Sequence, residues 1–309
     1  MNNKTCKKTS IGGQALIEGI LMRGPEKVSI AVRRPDNVIE VKTDKIETSK
    51  FKNIRKLPII RGIFILIESL SMGMDALMYS ASFFEDEEEL EKESITTKIF
   101  GKYSQKFENA LTILISFALA LLFFFFLPTW LTSLFKNKVS SSIGMNFIEG
   151  IIRLIIFFIY IVMISKMEDI KRVFMYHGAE HKTIFCYENG DELTVENVKK
   201  YSILHPRCGT SFLFTVMLVS ILVLSLFGWP NPVMRMVTRL ISLPIIVGVS
   251  YEINRLIGKS NSKFAEILSK PGLFVQKVAT VKEPTDDMIE VAIAAMKEVI
   301  PEDPKADLW

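Results

Sequence analysis

The sequence predicts a mainly α-helical membrane protein. It has about four transmembrane helices, one interfacial or re-entrant amphipathic helix, and a small cytoplasmic cap containing a β-hairpin. Three observations predict this. Mean hydropathy is +0.28, with Phe occurring 22 times in 309 residues. Apolar runs long enough to cross a bilayer recur along the chain. Lys and Arg concentrate in alternate connecting segments, the asymmetry that orients a multi-span protein.

Near the N-terminus, residues 28–32 and 38–46 alternate apolar with polar side chains. They flank Arg34-Pro35-Asp36-Asn37, which is a hairpin signal. Before them, Gly12-Gly13-Gln14-Ala15-Leu16-Ile17-Glu18-Gly19 is glycine-rich but lacks P-loop or dinucleotide spacing, so it reads as close packing or a tight turn. Residues 57–84 are apolar with a helical period, yet Arg61, Glu68 and Asp75 recur every seventh position as one polar stripe. The expectation is a helix at the interface that does not cross; the plainer alternative is an amphipathic core helix of a soluble subdomain. The acidic run at 85–89 reads as a solvated linker.

Residues 109–135 hold no charge and form the first expected span. Further spans are expected at about 147–165, 211–228 and 237–257, the third ending at Trp229-Pro230. Arg153 and Arg239 fall near outer ends, where snorkelling to the interface is the default. The polar tail carries one amphipathic helix at 288–299. The domain reading is an N-terminal segment (1–56), an amphipathic helix with acidic linker (57–106), a four-span domain (107–258) with a histidine loop at 167–210, and a tail (259–309).

The loop between the second and third spans holds Lys166, Lys171, Arg172, Lys182, Lys199, Lys200 and Arg207, whereas the loops after the first and third spans are poor in Lys and Arg. Both termini and this loop are therefore expected in the cytoplasm. Cys6, Cys186 and Cys208 do not make a disulfide framework and suit a reducing compartment. No secretory signal is expected before the fold, since the first apolar stretch is short and holds Gln14 and Glu18. A net charge of +4 with no nucleic-acid-binding pattern points to the lipid bilayer, and to an unidentified substrate or protein, as partner rather than DNA or RNA.

All three histidines fall in that loop. Two sit in His177-Gly178-Ala179-Glu180-His181, the order H-x-x-E-H. On a helix, positions i and i+4 share a face, so both imidazoles can address one ion. The spacing is a zinc-peptidase signature, with the carboxylate as general base. The candidate ligands of a divalent metal, zinc by this pattern, are His177, His181, His205 and Cys208; His205 is the natural third ligand and Cys208 the possible fourth. Glu188, Asp191 and Glu192 are weaker carboxylate candidates. Glu180 is the candidate catalytic base. The plainer reading is a pair of surface or core histidines, with Glu180 paired to Lys182 or Lys171. In His205-Pro206-Arg207-Cys208, Pro206 suits a first helical turn, and Cys208 beside Arg207 near a helix start suits either a thiolate or a small buried cysteine.

Further pocket candidates are Glu18, Arg23, Lys182, Arg207 and Glu252. For Glu18 and Arg23 an internal ion pair is the plainer reading. Glu252, near an inner span end, is the better functional candidate of the charged residues in or near the spans.

Several stretches together resemble the YqhQ-like family of bacterial membrane proteins. They are Gly12-Gly13-Gln14-Ala15, Glu18-Gly19, Met22-Arg23-Gly24-Pro25, His177 through Lys182, His205 through Thr210, Tyr251-Glu252, and Pro271-Gly272-Leu273 followed by Gln276. The resemblance covers nearly the whole chain. It implies a multi-span protein of the bacterial cytoplasmic membrane. The family is sometimes labelled a predicted metal-dependent enzyme, a label resting on these same histidines. Phe274 stands where Trp is frequent, and Ile20-Leu21 where Val-Met is common.

The leading expectation is metal-dependent hydrolysis at the cytoplasmic face, on a peptide, lipid or small ester. The alternative is a non-catalytic membrane scaffold or regulator whose metal, if present, is structural. A transporter ranks last, because the first and third spans carry almost no polar residues through mid-membrane.

Overall fold

The computed structural model describes residues 7–46, 57–84, 104–260, 262–303 and 305–308. The acidic run at 85–89 and Cys6 lie outside them. The fold is mainly helical with one small antiparallel sheet. It divides into two compact units: residues 1–84, 161–216 and 247–309, and residues 85–160 and 217–246.

In the first unit, four strands run β1 (Gly12–Leu16), β2 (Gly19–Arg23), β3 (Lys27–Arg33) and β4 (Ile39–Lys45), paired in that order. The expected hairpin is β3–β4, with Lys27 opposite Lys45 and Arg33 opposite Ile39. The glycine-rich stretch is more than a turn: it forms a second hairpin, Gly12 opposite Arg23 and Leu16 opposite Gly19. Its two-residue loop puts Glu18 at φ 48°, in the left-handed region.

Because alternate side chains of a strand face opposite ways, β2 and β3 feed two cores. Ile20, Met22 and Ala31 join the helices α5 (Glu168–Glu188) and α10 (Asp286–Val299) through Tyr176, Ala179, Met288 and Ala292. Leu21, Ile30 and Val32 face the opposite side and pack with Ala76, Met72 and Tyr79 of α1 (Ile60–Ala81). The polar stripe of α1 finds partners within this unit: Arg61 pairs with Glu252, and Glu68 with Arg23 at 3.0 Å. Its face carrying Ile67, Leu70, Met74 and Met78 is exposed.

Among the described residues, four helical stretches are long and apolar enough to cross a membrane: Ile60–Ala81, Leu114–Ser133, Ser142–Ile164 and Val233–Lys259. Gly209–Ser225 is apolar but shorter, at 17 residues. In chain order these are α1; α2 (Ser104–Leu121) continued through a π turn at Leu122–Phe126 into α3 (Leu127–Ser133); α4 (Ser142–Ile164); α7 (Gly209–Ser225); and α8 (Pro232–Lys259). The short α6 (Val195–Val198) and α9 (Lys263–Val275) complete the helices described here.

In the second unit, Gly150 lies where a Cβ would strike Ile221, a small-residue approach suited to tightly packed apolar helices. Arg153 and Arg239 do not snorkel. Both turn inward to Glu149, which is buried.

Candidate metal centre

Helix α5 carries the histidine motif. It starts after the break at Lys166-Met167 with Glu168 and Asp169 in its first turn, favourable at the positive end of a helix. Gly178 is required by packing: a Cβ there would meet the carbonyl oxygen of Lys282, so the backbone of 280–282 lies directly on the helix. That approach aims one specific group at the site. The Thr280 carbonyl oxygen is 2.9 Å from His177 Nδ1. A carbonyl only accepts, so Nδ1 carries the proton and Nε2 is left toward Cys208 Sγ, 3.1 Å away.

His181 follows the same plan. Its Nδ1 lies 2.6 Å from the Ile203 carbonyl oxygen, leaving Nε2 as the nitrogen free to coordinate. Cys208 sits immediately before α7, at the positive end of that helix. One ligand atom each from His177, His181 and Cys208 all lie within 4.8 Å of one another. Fixing Nδ1–H on a carbonyl while Nε2 faces inward is the second-shell pattern of metal-binding histidines.

Glu180 packs beside them. The Gly13 N–H donates to its Oε1 at 2.9 Å, and a Cβ on Gly13 would collide with Leu21 and crowd this carboxyl. Its Oε2 is buried and, among the described residues, has no hydrogen-bond partner. A cavity of about 100 Å³ opens here, lined by Gly12, Gly13, Glu180, His181, His205 and Cys208 among others.

Burial raises the Glu180 carboxyl above the usual carboxylate range, outweighing the neighbouring imidazoles. Burial also works against charge on His177, but the adjoining Cys208 sulfur outweighs it and lifts the imidazole to about 9. For Cys208 burial raises the thiol, while the two imidazoles outweigh this and hold it well below its ordinary value. The sulfur is thus poised as a thiolate, the form that binds metals.

His205, expected as the third ligand, stands outside this trio. Its Nδ1 faces the Arg207 backbone N–H at 3.3 Å, and its Nε2 lies 3.3 Å from Arg207 Nη2 and 3.8 Å from Glu188 Oε2. Its ring packs between those of Phe185 and His181, at 4.5 and 5.4 Å. Burial depresses it to about 4, so it is a neutral packing group. Gln276 clamps its backbone, accepting from the His205 N–H (3.0 Å) and donating to its carbonyl (2.8 Å).

Other candidates serve the frame. Arg207 and the Thr9 N–H bind Glu188. Lys182 does not pair with Glu180; it reaches Glu283 and the Lys199 carbonyl. Glu18 and Arg23 do not pair with each other: Glu18 takes Arg172 and Tyr176, and Arg23 takes Glu68. Glu252 holds Arg61 and the Ile59 N–H. Pro206 lies in the turn before α7, which begins only at Gly209.

Gln276, Thr280, Ile203 and Gly13 were not among the sequence candidates. Three of them act through backbone groups, which no side chain announces. Gln276 follows the Pro271-Gly272-Leu273 run, and that run was its only signal.

The family described as Protein of unknown function (DUF1385) matches residues 57–302. The chain is similar to the "Uncharacterized protein YqhQ" of Bacillus subtilis (strain 168), 34% identical over 295 residues, covering 94% of this chain and 92% of that protein. No solved structure matches it. By the extent of both matches, this chain belongs to the DUF1385 family of YqhQ-like proteins.

Proposed function

We propose that the protein is a membrane-embedded, metal-dependent hydrolase of the cytoplasmic face, with zinc held by His177, His181 and Cys208. One observation carries this reading: a trio of oriented donor atoms shares a buried cluster with a carboxylate oxygen, Glu180 Oε2, that has no partner. The donor chemistry fits, since two imidazoles and a thiolate are zinc ligands, and three protein ligands are the number of a catalytic site. When bound, such an ion acidifies water and polarises a carbonyl. Glu180 takes the proton from the attacking water and delivers it to the leaving group. Its raised proton affinity, caused by burial, suits a group that takes up a proton and passes it on. The Gly13 N–H keeps the carboxyl from rotating away. The cavity takes only a small reacting group, well below the roughly 300 Å³ of a drug-sized pocket, so an ester or amide presented end-on fits best.

The near-complete burial of His181 favours a second reading, a non-catalytic scaffold or regulator whose metal staples α5 to the segment before α7. Glu180→Gln separates the two. On the hydrolase reading, the purified variant keeps its ion and loses hydrolysis of chromogenic esters, peptides or phospholipids by about 100-fold or more. Equal rates in the two proteins would exclude Glu180 as the base.

In this proposal the membrane is crossed by α2–α3, α4, α7 and α8, and α1 lies along the inner surface. Its ties to Arg23 and Glu252 and its exposed apolar face support that position. At 17 residues α7 spans about 25 Å, near the lower limit for a crossing helix. Both termini and the 167–207 segment then face the cytoplasm. A cysteine introduced at Asn137 is expected to react with an impermeant maleimide on intact cells, and one at Asn189 is not. The reverse pattern would overturn the orientation.

A further inference from the structure

The second unit carries an unbalanced buried charge. Glu149 lies in α4 and is 1% exposed. Arg153 donates to its Oε1 at 2.9 Å, Arg239 bonds the same oxygen, and Arg235 Nη1 stands 3.9 Å from Oε2. Thr129 of α3 bridges the group, donating to Glu149 Oε1 (3.1 Å) and accepting from Arg239 (2.9 Å). Three guanidinium groups thus share one carboxylate, and among the described residues no second carboxylate pairs with them.

The surplus is concentrated on one side chain. Arg235 is 6% exposed, yet its Nε and Nη1 have no hydrogen-bond partner among the described residues. Its guanidinium lies 4.0 Å from the centre of the Trp229 ring, which fixes its plane. A buried guanidinium with unmet N–H groups, amid two uncompensated charges, is strongly unfavourable in an apolar bundle. The natural remedy is an anion. An Arg235 N–H left without an acceptor can donate a charge-assisted hydrogen bond to a phosphate oxygen.

Depth narrows the ligand. Arg235 and Arg239 lie three and seven residues into α8, and Glu149 seven residues into α4. At about 1.5 Å per residue these three lie about 5–10 Å inside the helix ends, close to lipid headgroup level.

We propose that Arg235, with Arg153 and Arg239 organised around Glu149, forms a binding site for a phosphate-type oxyanion, either an anionic lipid headgroup or free phosphate. Glu149 holds the three arginines together against their mutual repulsion, and Arg235 offers its unmet N–H groups.

The test uses full-length protein, purified in neutral detergent and stripped of lipid. Thermal unfolding and native mass spectrometry are followed with three probes: inorganic phosphate, phosphatidylglycerol, and a diacylglycerol of the same chains. Phosphatidylglycerol is expected to raise Tm with concentration and to appear as a retained adduct. Arg235→Gln is expected to weaken it by at least about tenfold, with Arg235→Lys intermediate. Phosphate stabilising as well as the lipid does would identify the free anion as the ligand. The proposal is overturned if wild type responds to neither phosphate nor phosphatidylglycerol, if diacylglycerol acts equally, or if Arg235→Gln binds unchanged. The wild-type arms decide even if a variant fails to fold.

Discussion

His181→Ala is expected to lower zinc affinity by more than 100-fold, read by chelator competition on purified protein. Removing an outer partner of a ligand already costs about 10–100-fold, and a lost ligand costs more because ligands act as a set. Both ring nitrogens of the next imidazole, His205, are engaged by Arg207, Nδ1 at its backbone N–H and Nε2 at its guanidinium, with Glu188 beside them. His205→Ala is expected to retain the ion more fully than His181→Ala. Equal losses would return His205 to the ligand set.

Gly178→Ala is expected to weaken both the fold and the site, though it touches no donor atom. Alanine is favoured over glycine within a helix by roughly 1 kcal/mol. Here the new methyl would meet the Lys282 carbonyl, and backbone yields poorly. That segment is also held by the Lys282 N–H on the Phe174 carbonyl at 2.9 Å. Relief of the clash pulls the Thr280 carbonyl from His177 Nδ1. The expected result is a net destabilisation of about 1–3 kcal/mol in thermal unfolding, with zinc affinity down about 10–100-fold. Unchanged stability would mean that the 280–282 backbone is not seated on α5.

The sequence carried the site's side chains better than its geometry. The i, i+4 spacing puts His177 and His181 on one face of α5, and Cys208 returns at the start of α7. That Cys208 lies with the two histidines while His205 stands apart could not be read from sequence, because it depends on which way a turn of four residues faces. The supports at Thr280, Ile203 and Gly13 are carbonyls and an N–H, common to every residue type. The first hairpin was hidden for a related reason: Gly12-Gly13 has poor strand propensity, and its place in the sheet comes from packing against Glu180 and β2. Paired charges distant in sequence were equally hidden. Arg239 looked like a separate snorkelling residue because Glu149 and Arg239 are 90 positions apart. The long apolar helices, the β3–β4 hairpin and the tail helix were plain because each is set by local pattern alone.

The most direct measurement of the central claim is elemental analysis of wild type, His177→Ala and His181→Ala, purified after growth with added zinc. About one zinc per chain in wild type, with little in either variant, is the expected result. If all three purify folded and equally metal-free, the metal reading is wrong, and the paired Cys208 and His177 would stand as a thiolate site or a structural contact instead.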